Sequence, residues 1–406
     1  LILKYRELDW QLIGAALVLS VVGVLLIMSA LHYSDSTFQQ EYFVRQIIWL
    51  AIALAVFAFV VHLPIRLYDF GAYLLYALAL ILLVAVLFWG TSRMGSMRWF
   101  SFGLINFAPA DLAKLAVVFG LARYLAYSKL PPTSKRRLAF TALLAIVPMM
   151  LILKQPDLGT SLVFPVLLIA LWFWSGLRPI YLLLILSPFV SLLAATHWIA
   201  WAIYLGLLLI FLFLVRPGLI FSILIVTANM VTGTILPLLW NRLAEYQQRR
   251  ILTFLDPGID PRGAGYQIIQ SKIAIGSGGF LGKGFLEGSQ TRLDFLPERH
   301  TDFIFSVLGE EFGFWGALIV IALFTFIFIK AIRIANRCRS KFLSNIVIGA
   351  TVILLFQFFV NVGMTLGFMP VTGLPLPFLS YGGTSLVLTW TLIALIVSAG
   401  YRWQEY

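Results

Sequence analysis

Cysteine occurs once in the 406 residues, as Cys338, so no internal disulfide can form and the redox compartment is unmarked. Histidine is almost as scarce. His32, His62, His197 and His300 fall in no ligand spacing, which gives a dedicated metal centre little support. Charge is the largest deficit: 11% of residues are charged, against roughly 25% in soluble domains, and a soluble globular protein is excluded. Acidic residues are fewer than basic ones, 17 against 29, for a net charge of +12. That excess could suggest nucleic acid, but the basic residues sit in short segments between apolar runs, where they set membrane orientation. No nucleic-acid partner is expected. No GxxxxGK[ST] match is present either, since Lys283 is followed by Gly284, so the glycine-rich stretch 276–284 is not a P-loop. No apolar run carries the regular basic series of a voltage sensor. The first apolar run, Leu12–Leu31, lacks a cleavage pattern and reads as a full span rather than a signal peptide.

What fills the chain is apolar sequence, 61% hydrophobic with a mean hydropathy of +0.97. Runs long enough to span a bilayer are expected near 11–31, 46–63, 70–90, 111–127, 139–154, 161–177, 180–197, 199–215, 218–240, 304–330, 344–367 and 383–401, about twelve in all. The closest division is at His197 and Trp198, which leave room for only a very short turn. Placing the N-terminus in the cytoplasm puts Lys4, Arg6, Arg66, Lys135–Arg137, Arg178, Arg216 and the Lys330–Lys341 cluster inside, as the positive-inside rule requires. The expected fold is an all-α polytopic membrane protein with a cytoplasmic N-terminus. It would form one transmembrane domain over 1–406, with a large extracytoplasmic loop at about 241–302. Within that loop QIIQSKIAI reads as a short amphipathic helix lying on the membrane surface.

With orientation fixed, polar residues gather at the outer starts of inward-running helices. Arg98, Trp99 and Asp111 flank the fourth span. Gln155 and Asp157 lead into the sixth, Glu298, Arg299, His300 and Asp302 into the tenth, and Ser380 and Thr384 into the twelfth. Helix N-termini carry unpaired N–H groups and partial positive charge, which suits a phosphorylated ligand. Arg98, Lys114, Lys272 and Arg299 would add cations. Taken singly, Asp111, Asp157 and Asp302 also read as ordinary first-turn acids or caps. Asp302 is a candidate general base, because a sheltered carboxylate has its pKa raised; Arg299 beside it would act the other way. Glu310 and Glu311, if inside the hydrocarbon, require a polar enclosure; otherwise 303–311 projects above the bilayer.

The motifs FLPERHTDFIF (295–305), QPDLGTS (155–161), LDPGIDPRGAGYQIIQSKIAIGSGG (255–279) and GLPLPFLSYGGTS (373–385) resemble those of the SEDS family of shape, elongation, division and sporulation proteins. They are closest to its elongation branch. The likeness covers the chain apart from about 180–217, which reads as a helix pair added to the family's usual ten spans. The resemblance implies a peptidoglycan glycosyltransferase that polymerises lipid II at the outer face of the bacterial cytoplasmic membrane. It would act with a class B penicillin-binding protein, among other elongation-complex proteins and membrane lipids. It implies Asp302 as the essential aspartate, Arg98–Trp99 as the Arg-Trp pair, and Pro109, Ala110, Asp111 and Lys114 as the PSE-x-x-K motif. Asp111 here replaces the family's usual Glu and is one methylene shorter. Asp302 would serve as base or as ligand of a divalent cation, Mg²⁺ or Mn²⁺, which needs few protein ligands. Two other functions fit the same spans: a lipid II flippase, for which no clear inverted repeat is visible, and a non-catalytic scaffold that activates a transpeptidase.

Overall fold

A computed structural model of the chain describes residues 8–32, 37–93, 96–102, 105–242, 248, 252–253, 256, 258, 260–261, 263, 265–293 and 295–404. Lys4, Arg6 and much of 243–264, including five of the eleven residues of LDPGIDPRGAG, lie outside these. The described chain divides into two compact units, 1–175 with 257–406, and 176–256.

The larger unit contains α1 (Trp10–Leu31), α2 (Thr37–His62), α3 (Ile65–Trp89), α4 (Pro109–Tyr127), α5 (Lys135–Leu153), α6 (Leu158–Ser161) and α7 (Val163–Trp174). After residue 257 come α11 (Tyr266–Gly278), α12 (Ser289–Arg292), α13 (Ile304–Arg337), α14 (Lys341–Thr365) and α15 (Gly383–Tyr401). Among the described residues, eight helices are long and apolar enough to cross a membrane, and three further apolar ones are shorter. The protein is therefore a multi-pass membrane protein. Centre and periphery separate by burial. In α14 and α15, 67% of the most apolar window is buried, against 22% in α2 and α3, whose other faces remain for lipid. With no hydrophobic gain between helices in lipid, such packing depends on close fit and small residues. Gly349 of α14 accordingly meets Val118 of α4, and Gly383 meets Trp49 of α2.

The ends of the helices are tied by polar side chains. Asp9 caps α1 by accepting from the Leu12 N–H at 3.2 Å, and its carboxylate also pairs with Lys330 of α13 at 3.1 Å. Arg402 donates to the carbonyls of Val61, His62 and Leu63, which end α2. Arg137 does the same for Leu125 and Leu130 beyond α4. These groups satisfy carbonyls that a helix C-terminus leaves unpaired.

Three features depart from expectation. A three-stranded antiparallel sheet, β1 (Thr91–Arg93), β2 (Ser96–Phe102) and β3 (Ile105–Phe107), joins α3 to α4 where only a loop was expected. The sixth span is broken into α6 and α7. The third departure is in α13, which runs 304–337 rather than 304–330 and is broken at Gly313, whose φ of 63° is left-handed. A Cβ there would come within 2.8 Å of the Phe280 carbonyl. The 304–312 piece thus stands apart from the span proper, which begins at Phe314. Glu310 and Glu311 lie in that piece and are enclosed by protein. Glu310 accepts from Lys283 Nζ at 2.8 Å, Ser289 Oγ at 3.1 Å and the Gln290 N–H at 3.0 Å, while Glu311 accepts from Ser29 Oγ. The polar enclosure is complete around Glu310, whereas among the described residues the buried Oε2 of Glu311 has no hydrogen-bond partner.

The amphipathic helix of the large loop exists as α11, but its buried face does not lie on a membrane. Ile268, Ser271, Ala274 and Gly278 pack on α13, with Ser271 Oγ 2.6 Å from both Ser306 Oγ and the Thr365 carbonyl. That spacing, one residue per turn, is a helix stripe, and the stripe is taken by protein.

The smaller unit holds α8 (Pro179–Ala194), α9 (Trp198–Val215) and α10 (Leu219–Arg242). The first two occupy the stretch expected as an added pair, separated by the short turn at His197. Apolar contact among Leu184, Leu208, Leu212 and Ile225 is joined by a buried polar network. Asn229 donates to Ser187 Oγ and the Ile225 carbonyl, both at 2.8 Å, and Tyr204 donates to Asn229 Oδ1 at 3.1 Å. Such bonds fix register where every other side chain is apolar.

Candidate functional site

The site forms in the larger unit at the helix ends opposite Asp9, Lys330 and Arg402. β2 carries Arg98, whose guanidinium reaches the turn between α5 and α6. It donates from Nε to the Gln155 carbonyl at 3.3 Å and from Nη2 to the Pro156 carbonyl, and Nη1 stands 3.8 Å from Asp157 Oδ1. Asp157 is at once an N-cap, accepting from the Thr160 N–H at 3.1 Å, and an ion-pair partner.

Asp302 closes a turn built on Glu298, whose φ of 53° lets its carbonyl accept from the N–H groups of Thr301, Asp302 and Phe303 at 3.1, 3.1 and 3.3 Å. The turn is held from outside. Ser380 Oγ donates to the Thr301 carbonyl, the Tyr381 N–H donates to the His300 carbonyl at 2.9 Å, and Asn361 Nδ2 donates to the carbonyls of Asp302 and Leu374, each at 2.9 Å. Gly373 leaves room beside the carboxylate; a Cβ there would sit 3.6 Å from Asp302 Oδ2. Burial pushes the Asp302 carboxyl up to about 7. Glu298 and Asp157 push the same way, and Arg98 opposes them. Residues 98, 157, 298 and 302, drawn from three parts of the sequence, therefore form one electrostatic cluster that offers a carboxyl with a pKa of about 7 and a guanidinium fixed by the turn.

Arg299 does not take the part expected of it. It is buried, and its Nε donates to the Ala30 carbonyl at the end of α1, so it ties the turn to that helix; burial lowers its pKa. The cation that acts on Asp302 is Arg98. His300 is also turned away into an aromatic group, stacked on Tyr42 at 5.4 Å and 17° and near Tyr381 at 5.9 Å. Burial holds its pKa below the usual imidazole value, with Glu298 opposing and Arg299 adding to the fall.

The remaining expected residues are placed as follows. Trp99 lies in β2, its carbonyl accepting from Thr91 Oγ1 at 3.0 Å. Asp111 and Lys114 pair with each other at 2.7 Å in the first turns of α4, so the shorter side chain still reaches its lysine. Gln155 turns its side chain inward to the Leu83 carbonyl, leaving only its backbone at Arg98. Lys272 is exposed on α11 and lies against Gly367 rather than beside Asp302. Glu298 is exposed and accepts from Thr301 Oγ1 at 3.0 Å. Thr384 stands in the first turn of α15. Two positions were missed. Asn361, fully buried in an apolar run, and Gln46, which bonds the Ser380 carbonyl and the Gly382 N–H at 3.4 Å each, both hold the site's backbone. A lone amide inside a membrane span was the available signal.

The sequence profile of the FtsW/RodA/SpoVE family, described as cell cycle protein, matches residues 9–204 and 199–404. The chain belongs to that family. This is the SEDS family its motifs resemble. Relatives within it include the peptidoglycan glycosyltransferase MrdB of Escherichia coli K12, 37% identical over 394 residues, covering 97% of this chain and 93% of that one. The peptidoglycan glycosyltransferase RodA of Treponema pallidum is 34% identical, covering 98% of both chains. Among solved members, a chain reported for structural coordination of polymerization and crosslinking by a peptidoglycan synthase complex superposes with a TM-score of 0.72. It is 30% identical, with coverage of 98% of this chain and 99% of that one. The rod shape determining protein RodA of Thermus thermophilus gives 0.65 at 25% identity over the whole of both chains.

Proposed function

We propose that this SEDS protein is a peptidoglycan glycosyltransferase that polymerises lipid II during cell elongation. It would act at the outer face of the bacterial cytoplasmic membrane with a class B penicillin-binding protein. The observation that carries the reading is the cluster of Asp302, near neutral in pKa, with Glu298, Asp157 and the clamped Arg98. The names of the relatives agree with it, and identities of 37% and 34% to MrdB and RodA against 33% to the FtsW of Alkalilimnicola ehrlichii favour elongation over division. Lys330, Arg137 and Arg402 at the opposite helix ends support a cytoplasmic placement of those ends by the positive-inside rule. We also infer that α8 and α9 are additional to the family's ten spans.

In this reaction the hydroxyl oxygen of one lipid-linked sugar bonds to the anomeric carbon of another. The bond from that carbon to the pyrophosphate breaks, and its electron pair leaves on the lipid-borne pyrophosphate. The hydroxyl proton passes to the Asp302 carboxylate. Arg98, held by the Gln155 and Pro156 carbonyls, is pre-aimed at developing negative charge and loses nothing to reorganisation. Among the described residues no three His, Cys, Asp or Glu side chains form a metal site. Alternatively, Asp302 would serve with substrate phosphates as a ligand of a divalent cation such as Mg²⁺ or Mn²⁺, which would supply neutralisation of the leaving group.

The test is incubation of lipid II with the purified protein and its penicillin-binding partner in detergent or liposomes. Glycan polymer is the expected product. Movement of lipid II across vesicle membranes without chain growth would contradict the assignment and support a flippase. The absence of both activities in an intact complex would leave the scaffold role.

A further inference from the structure

Phe280 and Leu281 are among the most exposed large apolar side chains of the larger unit, at 72% and 83%, yet they belong to the loop that follows α11 rather than to a spanning helix. Their backbone is fastened to the break in α13: the Phe314 N–H donates to the Gly279 carbonyl at 2.9 Å and the Trp315 N–H to the Phe280 carbonyl at 3.3 Å. Phe280 meets Phe314 edge-on at 5.9 Å, and Phe314 meets Trp315 at 5.7 Å, both of the latter more than half exposed. The tip is rigid. Gly282 has a φ of 80°, and its N–H returns to the Gly278 carbonyl at 2.8 Å. The nearest cation, Lys283, turns inward to Glu310 and so leaves the tip uncharged.

Depth follows from helix length. From Phe314 to Arg333 the helix rises about 30 Å, which matches the hydrocarbon thickness of a bilayer. Phe314 and Trp315 therefore stand at the hydrocarbon boundary, where aromatic side chains concentrate, and the backbone bonds bring Phe280 and Leu281 to the same level. We propose that the Phe280–Leu281 tip seats in the bilayer surface beside Phe314 and Trp315, as a lipid-facing anchor for the loop. Between the break at Gly313 and the Asp302 turn lies only the short helical piece 304–312, which rises about 12 Å. The anchor thus holds the active-site turn within reach of the headgroup layer, where a lipid-linked pyrophosphate lies. The anchor itself does not depend on the proposed reaction.

The experiment uses Cys338→Ser as background, with Leu281→Cys or Phe280→Cys labelled by an environment-sensitive fluorophore in lipid nanodiscs. Glu287→Cys, exposed on the same loop, is the aqueous reference. Shallow spin-labelled lipids are expected to quench the 281 and 280 labels several-fold more than the 287 label, with blue-shifted emission in the protein alone. Water-like emission and quenching equal to the 287 label would overturn the proposal. So would a blue shift that appears only after the penicillin-binding partner is added, which would give the patch to a protein. Thermal melting in step with the background confirms that each labelled variant is folded, and the two positions test the same tip independently.

Discussion

Arg98 and Asp157 face each other at 3.8 Å, and the same guanidinium is bonded to two carbonyls of the turn that Asp157 ends. Arg98 is thereby fixed as the cation that lowers the pKa of Asp302, against burial, Glu298 and Asp157, which raise it to about 7. If Asp302 acts as a base, polymerisation rises with pH through about 7. Arg98→Gln is expected to move this acid limb to higher pH, and Glu298→Gln to lower pH. Rate profiles of the purified complexes read both, and displacement of the two variants in the same direction would contradict the arrangement.

The same carboxyl links stability to pH. Its folded-state pKa lies above the unfolded value of roughly 3.9, so the folded protein retains a proton that the unfolded chain has released. That contribution is present in acid and is lost as pH rises through about 7. Asp302→Asn stays neutral throughout. Its melting temperature in detergent should exceed that of wild type at pH 8, with the gap narrowing at pH 5.

Gly313 breaks α13 with a φ of 63° and leaves no room for a Cβ beside Phe280 and Gly282. Gly313→Ala is expected to destabilise the protein by about 1–3 kcal/mol, read as a fall in melting temperature. An unchanged melting temperature would mean that the break is not required.

Glu310 is fully buried and pairs with Lys283 at 2.8 Å. Lys283→Met removes a charge partner from that buried carboxylate, at a cost of a few kcal/mol when such a pair is broken. Adding Glu310→Gln should recover part of the loss, because the neutral amide still accepts from Ser289 and Gln290. Additive losses in the double variant would argue against the pair.

The spans were legible because twenty apolar residues in a row admit few other structures, and Asp302 was legible because charge at a span's edge is costly. Partners were not. Arg299 is three residues from Asp302 in sequence, yet it points to Ala30, whereas Arg98 arrives from about two hundred residues away through a short sheet that carries no strong local signal. The sheet's strands of three and seven residues are too short for a period-2 pattern to show. The break at Gly313 was hidden for a similar reason: glycine is common in membrane helices, and only the loop packed against it makes this one necessary. Asn361 was readable as a polar residue in an apolar run, but not as the donor to the Asp302 carbonyl.

The most direct measurement compares wild type with Asp302→Asn in lipid II polymerisation by the purified protein with its penicillin-binding partner. The two differ by one ionisable group of nearly the same shape. We expect glycan from wild type and none from the variant, with the complex intact in both. Glycan from both at equal rates would remove Asp302 from the chemistry and with it the central claim.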